Sequence, residues 1–244
     1  MAQYGMVIDL DRCTGCRACM VACKVENNTP QANFWMYVFR FEEGEFPNTR
    51  VSFMPRPCMH CDNAPCVKVC PVGARFKRED GLTATDWDRC IGCRYCEVAC
   101  PYGVNYFNWK DPEANYYLNW DDPGVSEITG GGLPYANPAL ELAYGSENRR
   151  TAGGGHLKGV VEKCTFCVHR VEKGLQPACV EACPTNAMHF GDLDDPDSEI
   201  SQMLRKRASF RLLEDAGTQP RVHYVGGQPP TTETRQIEEV KVRA

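Results

Sequence analysis

The chain has 244 residues, of which 27 are Lys or Arg and 32 are Asp or Glu, so its formal net charge is -5. This length fits one large domain or two small domains that share a core. Because the charge balance shows no basic excess, it argues against nucleic acid as a partner. Sixteen residues are cysteine, which is far above ordinary usage.

The N-terminal sequence MAQYGMVIDLDRC does not combine a basic segment with a following apolar one, so we expect no secretory signal in it. No stretch approaches the roughly 18 to 20 apolar residues that a membrane-spanning helix needs, so we expect any membrane link to come through a partner. Folding is then expected in the reducing cytosol, where so many cysteines indicate metal ligands rather than disulfides.

The cysteines form four groups of four, and none is left over. In chain order the groups are Cys13, Cys16, Cys19, Cys23 (C-x2-C-x2-C-x3-C); Cys58, Cys61, Cys66, Cys70 (C-x2-C-x4-C-x3-C-P); Cys90, Cys93, Cys96, Cys100 (C-x2-C-x2-C-x3-C-P); and Cys164, Cys167, Cys179, Cys183 (C-x2-C-x11-C-x3-C-P). The first and third spacings are those of bacterial ferredoxins with two clusters. The second and fourth differ only in a longer loop before the third cysteine.

The spacing has a geometric reason. Three thiolates separated by two residues each can curl around three irons of one cubane, whereas the fourth thiolate, after a longer gap, points toward the neighbouring cluster. Two motifs are therefore needed to complete two clusters. A zinc site requires only four ligands around one ion, commonly from two C-x-x-C pairs, and gives no reason for the third cysteine or the C-P endings. The spacing predicts four [4Fe-4S] clusters.

An internal repeat supports the arrangement of the motifs in pairs. The segments 11–23 and 88–100 are identical at ten of thirteen positions. Groups two and three are separated by only nineteen residues, so we expect them to pair, which leaves groups one and four for each other. The predicted ligand sets are Cys58, Cys61, Cys66 with Cys100; Cys90, Cys93, Cys96 with Cys70; Cys13, Cys16, Cys19 with Cys183; and Cys164, Cys167, Cys179 with Cys23.

Short strand-like runs flank the motifs, such as GMVIDL before group one and LTATDW before group three. We predict an α+β fold of two tandem bacterial-ferredoxin-like modules with loop-rich insertions. The predicted segments are 1–25 with 158–195 (outer module), 26–57 (β-hairpin insertion), 58–110 (inner module), 111–157 (loop-rich insertion) and 196–244 (C-terminal helix and extended tail).

Other residues are candidates for roles near the clusters. Aromatic residues around the start of the loop-rich segment are expected to pack over the clusters, with a partner interface as the alternative. They are Tyr102, Tyr106, Phe107, Trp109, Tyr116, Tyr117 and Trp120. His60 is expected to be structural rather than an iron ligand, and His169 and Arg170 are candidate donors to a cluster or its loop. The cations Arg17, Arg94, Lys163 and Lys173 either offset the thiolate charge or are ordinary solvated residues.

The four motifs together resemble the iron–sulfur (B) subunit of the dimethyl sulfoxide reductase superfamily. The resemblance rests on the C-x2-C-x4-C-x3-C-P spacing of group two and on the C-T-F-C-x-H-R start of group four, and it spans nearly the whole chain. The family includes subunits of polysulfide, tetrathionate, arsenate and dimethyl sulfoxide reductases, nitrate reductase and sulfite dehydrogenase, and a similar module occurs in alternative complex III. Carried over, the family's ligands fall on the same sixteen cysteines in the crossed sets.

The resemblance implies an electron-transfer subunit rather than an enzyme. It implies a molybdopterin-type catalytic subunit that faces the outer pair of clusters, and an integral membrane quinone-binding subunit that faces the inner pair. It also implies a peripheral, membrane-associated location, extracytoplasmic through export with the catalytic subunit, with the cytoplasmic face as the alternative. The sequence has no GxGxxG, P-loop or Ser-His-Asp pattern, so no catalytic residue is predicted.

Three other functions stay open at this point. One is the iron–sulfur subunit of a formate dehydrogenase or hydrogenase, although such subunits often carry a membrane helix and none is predicted here. Another is a free polyferredoxin, for which the long loop-rich segment and the tail are excessive. The third is a zinc-stapled scaffold protein, which iron and acid-labile sulfide analysis would distinguish from an electron carrier.

Overall fold

The computed structural model describes residues 2–30, 32–110, 142–152, 156–227 and 235–236. Much of the expected loop-rich insertion at 111–157 lies outside these ranges, as do most of the predicted tail and three of the candidate aromatic residues. These three are Tyr116, Tyr117 and Trp120.

The described residues form short helices and short strands. The helices are α1 (Ala18–Asn27), α2 (Pro65–Lys68), α3 (Tyr95–Ala99), α4 (Val168–Val171), α5 (Ala178–Glu181) and α6 (Glu199–Lys206), with a 3-10 turn at Glu214–Ala216. The strands are β1 (Tyr4–Asp9), β2 (Tyr37–Glu43), β3 (Arg50–Arg56), β4 (Arg75–Lys77), β5 (Thr83–Thr85), β6 (Tyr106–Phe107), β7 (Leu142–Tyr144), β8 (Arg149–Ala152), β9 (Val161–Glu162), β10 (Met188–Asp192), β11 (Ser209–Phe210), β12 (Val222–Val225) and β13 (Arg235–Gln236). None of the helices in the described ranges is long and apolar enough to cross a membrane.

The largest sheet of the described residues has the strand order β10-β1-β12-β11. β1, which leads into the first cysteine group, pairs antiparallel with β10, which follows the fourth group. β1 also pairs in parallel with β12, close to the end of the described chain. The sheet therefore brings the strand that enters group one beside the strand that leaves group four.

β1 is buried on both faces. Met6 and Ile8 belong to the main hydrophobic core, whereas Val7 packs with Ile200 of α6 and Val225 of β12 in a second, smaller cluster. Successive side chains of a strand point to opposite faces of the sheet, so this one strand supplies both clusters.

Both ends of the C-terminal helix α6 carry residues that stabilise a helix terminus. Ser198 caps the helix by accepting a hydrogen bond from the backbone N–H of Ser201 (3.2 Å). Glu199 lies in the first turn and Arg205 and Lys206 lie in the last, which suits the helix dipole. The sequence did not predict the next two strands, β11 and β12, which extend the four-stranded sheet beyond this helix.

The chain between groups one and two forms a long β-hairpin. β2 and β3 pair antiparallel along their full length, and β13 pairs with the other edge of β2. Arg56 donates a hydrogen bond to the carbonyl oxygen of Tyr102 (2.6 Å), and the Tyr224 hydroxyl donates to the carbonyl oxygen of Pro55 (2.8 Å). The hairpin is thereby attached to the end of group three and to the four-stranded sheet.

Two small sheets connect the remaining cysteine groups. β4 and β5 form a hairpin between groups two and three, and β6, after group three, pairs antiparallel with β9, which leads into group four. Two-stranded pieces of this size are not stable alone and need packing against a core. Buried cysteines of all four groups belong to the same core as these strands, so the sheets place the groups around one centre.

Ile200→Ala is expected to lower the free energy of unfolding by about 2–4 kcal/mol, because the side chain is fully buried between α6 and the sheet. Leu213→Ala truncates a side chain that is 55% exposed, and we expect a loss below about 1 kcal/mol. Guanidinium unfolding followed by circular dichroism under anaerobic conditions measures both. Equal losses in the two variants would contradict this packing.

Candidate metal centres

Three sets of four cysteines each line one small cavity. They are set I (Cys13, Cys16, Cys19 and Cys183), set III (Cys58, Cys61, Cys66 and Cys100) and set IV (Cys70, Cys90, Cys93 and Cys96). Each set combines three cysteines of one motif with the last cysteine of another.

Set II consists of the remaining cysteines, Cys23, Cys164, Cys167 and Cys179, and all four are buried. The side-chain amide of Asn27 donates to the sulfur atoms of Cys23 (3.6 Å) and Cys167 (3.8 Å). Burial raises the pKa of Cys23 well above its usual value, and the charges of Cys164 and Cys167 raise it further. The last cysteine of group one therefore lies among the first three of group four.

Residues with left-handed backbone conformation shape the loops of groups one and three. Gly15 and Arg17 have φ angles of 69° and 65°, and the equivalent Gly92 and Arg94 have φ angles of 67° and 63°. A Cβ atom on Gly92 would lie 2.1 Å from the carbonyl oxygen of Gly159, so only glycine fits there. Arg17 and Arg94 precede α1 and α3, which carry the third cysteine of each motif.

Backbone N–H groups point at cysteine sulfur atoms in all four sets. The bonds run from His60 to Cys58 (3.5 Å), from Arg75 to Cys70 (3.4 Å), from Phe166 to Cys164 (3.4 Å) and from Ala187 to Cys183 (3.3 Å). Such donors stabilise negative charge on sulfur, and they are among the means by which a protein adjusts an iron–sulfur cluster.

Two family models match the chain, and both are described as a 4Fe-4S dicluster domain. One matches residues 49–115 and 154–193, and the other matches residues 12–74. Together the matched ranges contain all sixteen cysteines. Two domains with two clusters each account for four clusters and sixteen cysteine ligands.

Proteins of known role match over most of the chain. The iron–sulfur subunit of the arsenate respiratory reductase of Shewanella sp. strain ANA-3 is 45% identical, over 91% of this chain and 96% of that protein. The B subunit of tetrathionate reductase from Salmonella typhimurium is 39% identical, over 92% and 72% respectively. The iron–sulfur cluster-binding subunit of the menaquinone reductase of Nitratidesulfovibrio vulgaris is 38% identical, over 91% and 88%.

The chain belongs to the iron–sulfur subunits of the dimethyl sulfoxide reductase superfamily. This subunit is an electron-transfer protein that carries four [4Fe-4S] clusters. The predictions of family and cofactor are confirmed, and its fold comprises two dicluster ferredoxin-type domains. The zinc-stapled scaffold, one of the alternatives, is wrong.

The cysteine sets fit this cofactor. Burial, followed by neighbouring thiolates, raises the pKa of both Cys19 and Cys61 to about 12, so their thiolate forms require a cationic group beside them. Within the described ranges no three Cys, His, Asp or Glu side chains converge on the position of a single metal ion. Sets I, III and IV instead each place four cysteines around one cavity. A [4Fe-4S] cluster supplies one-electron exchange there.

Two buried cations lie beside the sets. Lys163, a candidate from the sequence, is 3% exposed, and its ammonium group donates to the carbonyl oxygens of Thr83 and Cys164. It is therefore not an ordinary solvated charge. Arg75, which sequence reasoning missed, is 2% exposed and lines the cavity of set IV. The sequence did contain a signal for a role of Arg75 near a cluster. Arg75 directly follows CPVGA, at the start of a strand that comes after a cysteine motif.

His60 links two cysteine motifs. Its Nδ1 accepts a hydrogen bond from the backbone N–H of Thr83 (3.1 Å), so Nε2 carries the proton and donates to the carbonyl oxygen of Cys164 (3.0 Å). The ring also stacks on Phe166, with 3.9 Å between ring centroids. Burial lowers the pKa of His60 well below its usual value, which keeps the ring neutral. These contacts fix the loop of group two against the loop of group four.

The remaining candidates from the sequence have other contacts. His169 and Arg170 both bind the carboxylate of Glu26 (2.8 and 3.2 Å), which ties α4 to α1. Lys173 is exposed. His169 and Arg170 thus hold the loop of group four against the helix of group one.

The aromatic candidates divide between core and surface. Tyr102 is buried, lines the cavity of set III and donates a hydrogen bond to the carbonyl oxygen of Leu212 (3.1 Å). Trp109 is 65% exposed, and the guanidinium of Arg94 lies 4.5 Å from its ring centroid. Tyr102 is therefore part of the core, whereas Trp109 lies at the surface.

Gly92→Ala is expected to prevent assembly of one cluster, so that about a quarter of the iron is lost, because the new Cβ in the loop of set IV would collide with the carbonyl oxygen of Gly159. Gly73→Ala is the matched control, since Gly73 also has a positive φ (63°) but open space at the Cβ position. Iron and acid-labile sulfide per chain measure the outcome. Full iron content in Gly92→Ala would contradict the assigned loop geometry.

Proposed function

We propose that this subunit relays electrons between a molybdopterin-type catalytic subunit and an integral membrane quinone-reactive subunit. In this proposal the ligands of clusters I to IV are the cysteines of sets I to IV. The clusters lie in single file in that order. The outer module (1–25 with 158–195) holds clusters I and II, and the inner module (58–110) holds clusters III and IV.

The exposure of the cysteines is the observation that carries the proposal. Among the sixteen, only Cys16 of set I and Cys93 of set IV are exposed. Set II is buried throughout, and set III is buried except for the partly exposed Cys100. A relay between two partners needs two surface ends and an interior that is shielded from water. Sets I and IV supply the ends.

Contacts between neighbouring sets support the single file. Helix α1 of group one packs against α5, which carries Cys179 of set II. His60, within the motif of set III, donates to the carbonyl oxygen of Cys164 of set II. Sets III and IV come from motifs that the β4–β5 hairpin joins directly.

Apolar side chains at the surface support a partner at each end. Ile91 (63% exposed), Tyr95 (59%), Val98 (81%) and Trp109 (65%) accompany set IV. On α1, next to set I, Val21 is 62% exposed. Apolar surface of this kind is common at contacts between subunits. The names of the relatives support the kinds of partner, since one serves an arsenate reductase and another a menaquinone reductase.

The subunit itself carries no catalytic residue in this proposal, because bond breaking belongs to the molybdopterin subunit. Its place is peripheral, held at the membrane by the quinone-reactive partner. We place it on the extracytoplasmic side, through export together with the catalytic subunit, as the family resemblance implies.

Cys23→Ser tests the crossed ligand sets. We expect it to alter the electron paramagnetic resonance signal that Cys164→Ser also alters, because both side chains belong to set II. Cys13→Ser is the matched control and should alter a different signal, that of cluster I. If Cys23→Ser instead matches Cys13→Ser, each motif closes its own cluster and the crossed assignment fails.

Val98→Glu and Val21→Glu test the two ends, since they occupy equivalent positions of the internal repeat. In the purified complex, Val98→Glu is expected to slow reduction of the clusters by quinol about tenfold or more, because it buries a charge in the contact. Electron exchange with the catalytic subunit should persist. Val21→Glu should show the reverse pattern.

Stopped-flow absorbance of the clusters measures both reactions. The proposed orientation fails if Val98→Glu leaves quinol reduction intact and blocks exchange with the catalytic subunit.

A further inference from the structure

We propose that Arg75 raises the reduction potentials of clusters III and IV together, through a buried positive charge that no carboxylate of the described residues neutralises. The inference rests on the ligand sets of the proposed function. Arg75 is not a ligand and acts on the clusters through its charge and its N–H groups.

The position of Arg75 is fixed by the backbone and by one side-chain contact. Arg75 is the first residue of β4, and its backbone N–H donates to the sulfur of Cys70 (3.4 Å). The side chain is buried, lines the cavity of set IV, and donates through Nη2 to the carbonyl oxygen of Val161 on β9 (3.2 Å). The guanidinium is therefore held against set IV rather than free to reach solvent.

The charge of Arg75 has no carboxylate partner among the residues that the structure describes. Its Nε and Nη1 atoms also lack an oxygen or nitrogen acceptor there. A buried guanidinium without a counter-ion is strongly unfavourable. The thiolates of the neighbouring sets, and the clusters they hold, supply the negative charge and the sulfur acceptors that this side chain otherwise lacks.

Arg75 lies beside two sets. Its side chain lines the cavity of set IV, and its strand β4 packs against α2, which carries Cys66 of set III. Burial raises the pKa of Cys66 in set III to about 11, and the charge of Arg75 is the strongest influence against that rise. Burial also raises the pKa of Cys96 in set IV, and Arg75 opposes this through its charge and a side-chain hydrogen bond. One guanidinium therefore lies within electrostatic reach of both clusters of the inner module.

The charge of Arg75 stabilises the reduced state of both clusters. Reduction adds one negative charge, and a fixed positive charge nearby stabilises it. Because Arg75 is buried, salt in solution screens this interaction little. The potentials of clusters III and IV are thereby both raised. The charge of Lys163 acts on sets II and III, where it favours the thiolate forms of Cys164 and Cys66.

Arg75→Met and Arg75→Lys in the purified complex test the proposal. Redox titration followed by electron paramagnetic resonance gives the midpoint potentials, and Cys66→Ser and Cys96→Ser identify the signals of clusters III and IV. We expect both potentials to move to more negative values in Arg75→Met and to move less in Arg75→Lys, which keeps the charge.

Arg78→Met is the matched control. Arg78 is also buried, but the carboxylates of Asp80 (2.9 Å) and Glu172 (2.7 Å) neutralise it, so its loss should leave both potentials unchanged. If Arg75→Met does not retain four clusters, Arg75→Gln replaces it, since glutamine keeps polar N–H groups without the charge.

The inference is overturned if the uncharged variant keeps four clusters at unchanged potentials, or if only one potential moves. A purely structural role would leave the potentials in place while lowering iron content. Failure of the proposed function is separate, because it would appear with Arg75 intact, when Cys23→Ser alters the signal that Cys13→Ser alters.

Discussion

Every cluster needs four thiolates around it, and no single motif of this chain supplies all four to one site. Cys183 therefore returns to the first motif, and Cys23 is left among the cysteines of the last. This crossing explains why β1 pairs with β10 although nearly the whole chain lies between them. Metal clusters that close such long loops restrict the conformations of the unfolded chain. The resulting stabilisation compensates for the little stability that small sheets and short helices provide.

The second requirement is compensation of buried negative charge. Backbone N–H groups directed at sulfur occur in every set, because they follow from the local turn of each motif. Buried cationic side chains contribute at fewer sets than the backbone N–H groups do. Lys163 and Arg75 lie at sets II to IV, and both are almost fully buried. The fold thus provides a common stabilisation through the backbone and a local adjustment through two cations.

The predictable part of the site is the part with local sequence signals. Cysteine spacing and the repeat were sufficient to predict four [4Fe-4S] clusters, because ligand geometry restricts spacing strongly. The strands β11 and β12 were missed, since two to four residues that pair with a distant strand carry little local pattern. Arg75 was missed because the sequence FKRED that follows it is typical of a solvated strand end, whereas its thiolate neighbours come from other motifs.

The duplicated motifs have become electrostatically unequal. Arg17 and Arg94 still share one backbone conformation, yet the sets around them differ in charge. The charges that act most strongly on Cys19 and Cys179, where sets I and II meet, are those of other thiolates. Between sets III and IV the strongest charge is that of Arg75. In the proposed relay, the positive charge of Arg75 favours the reduced forms of clusters III and IV, which are the two clusters of the inner module.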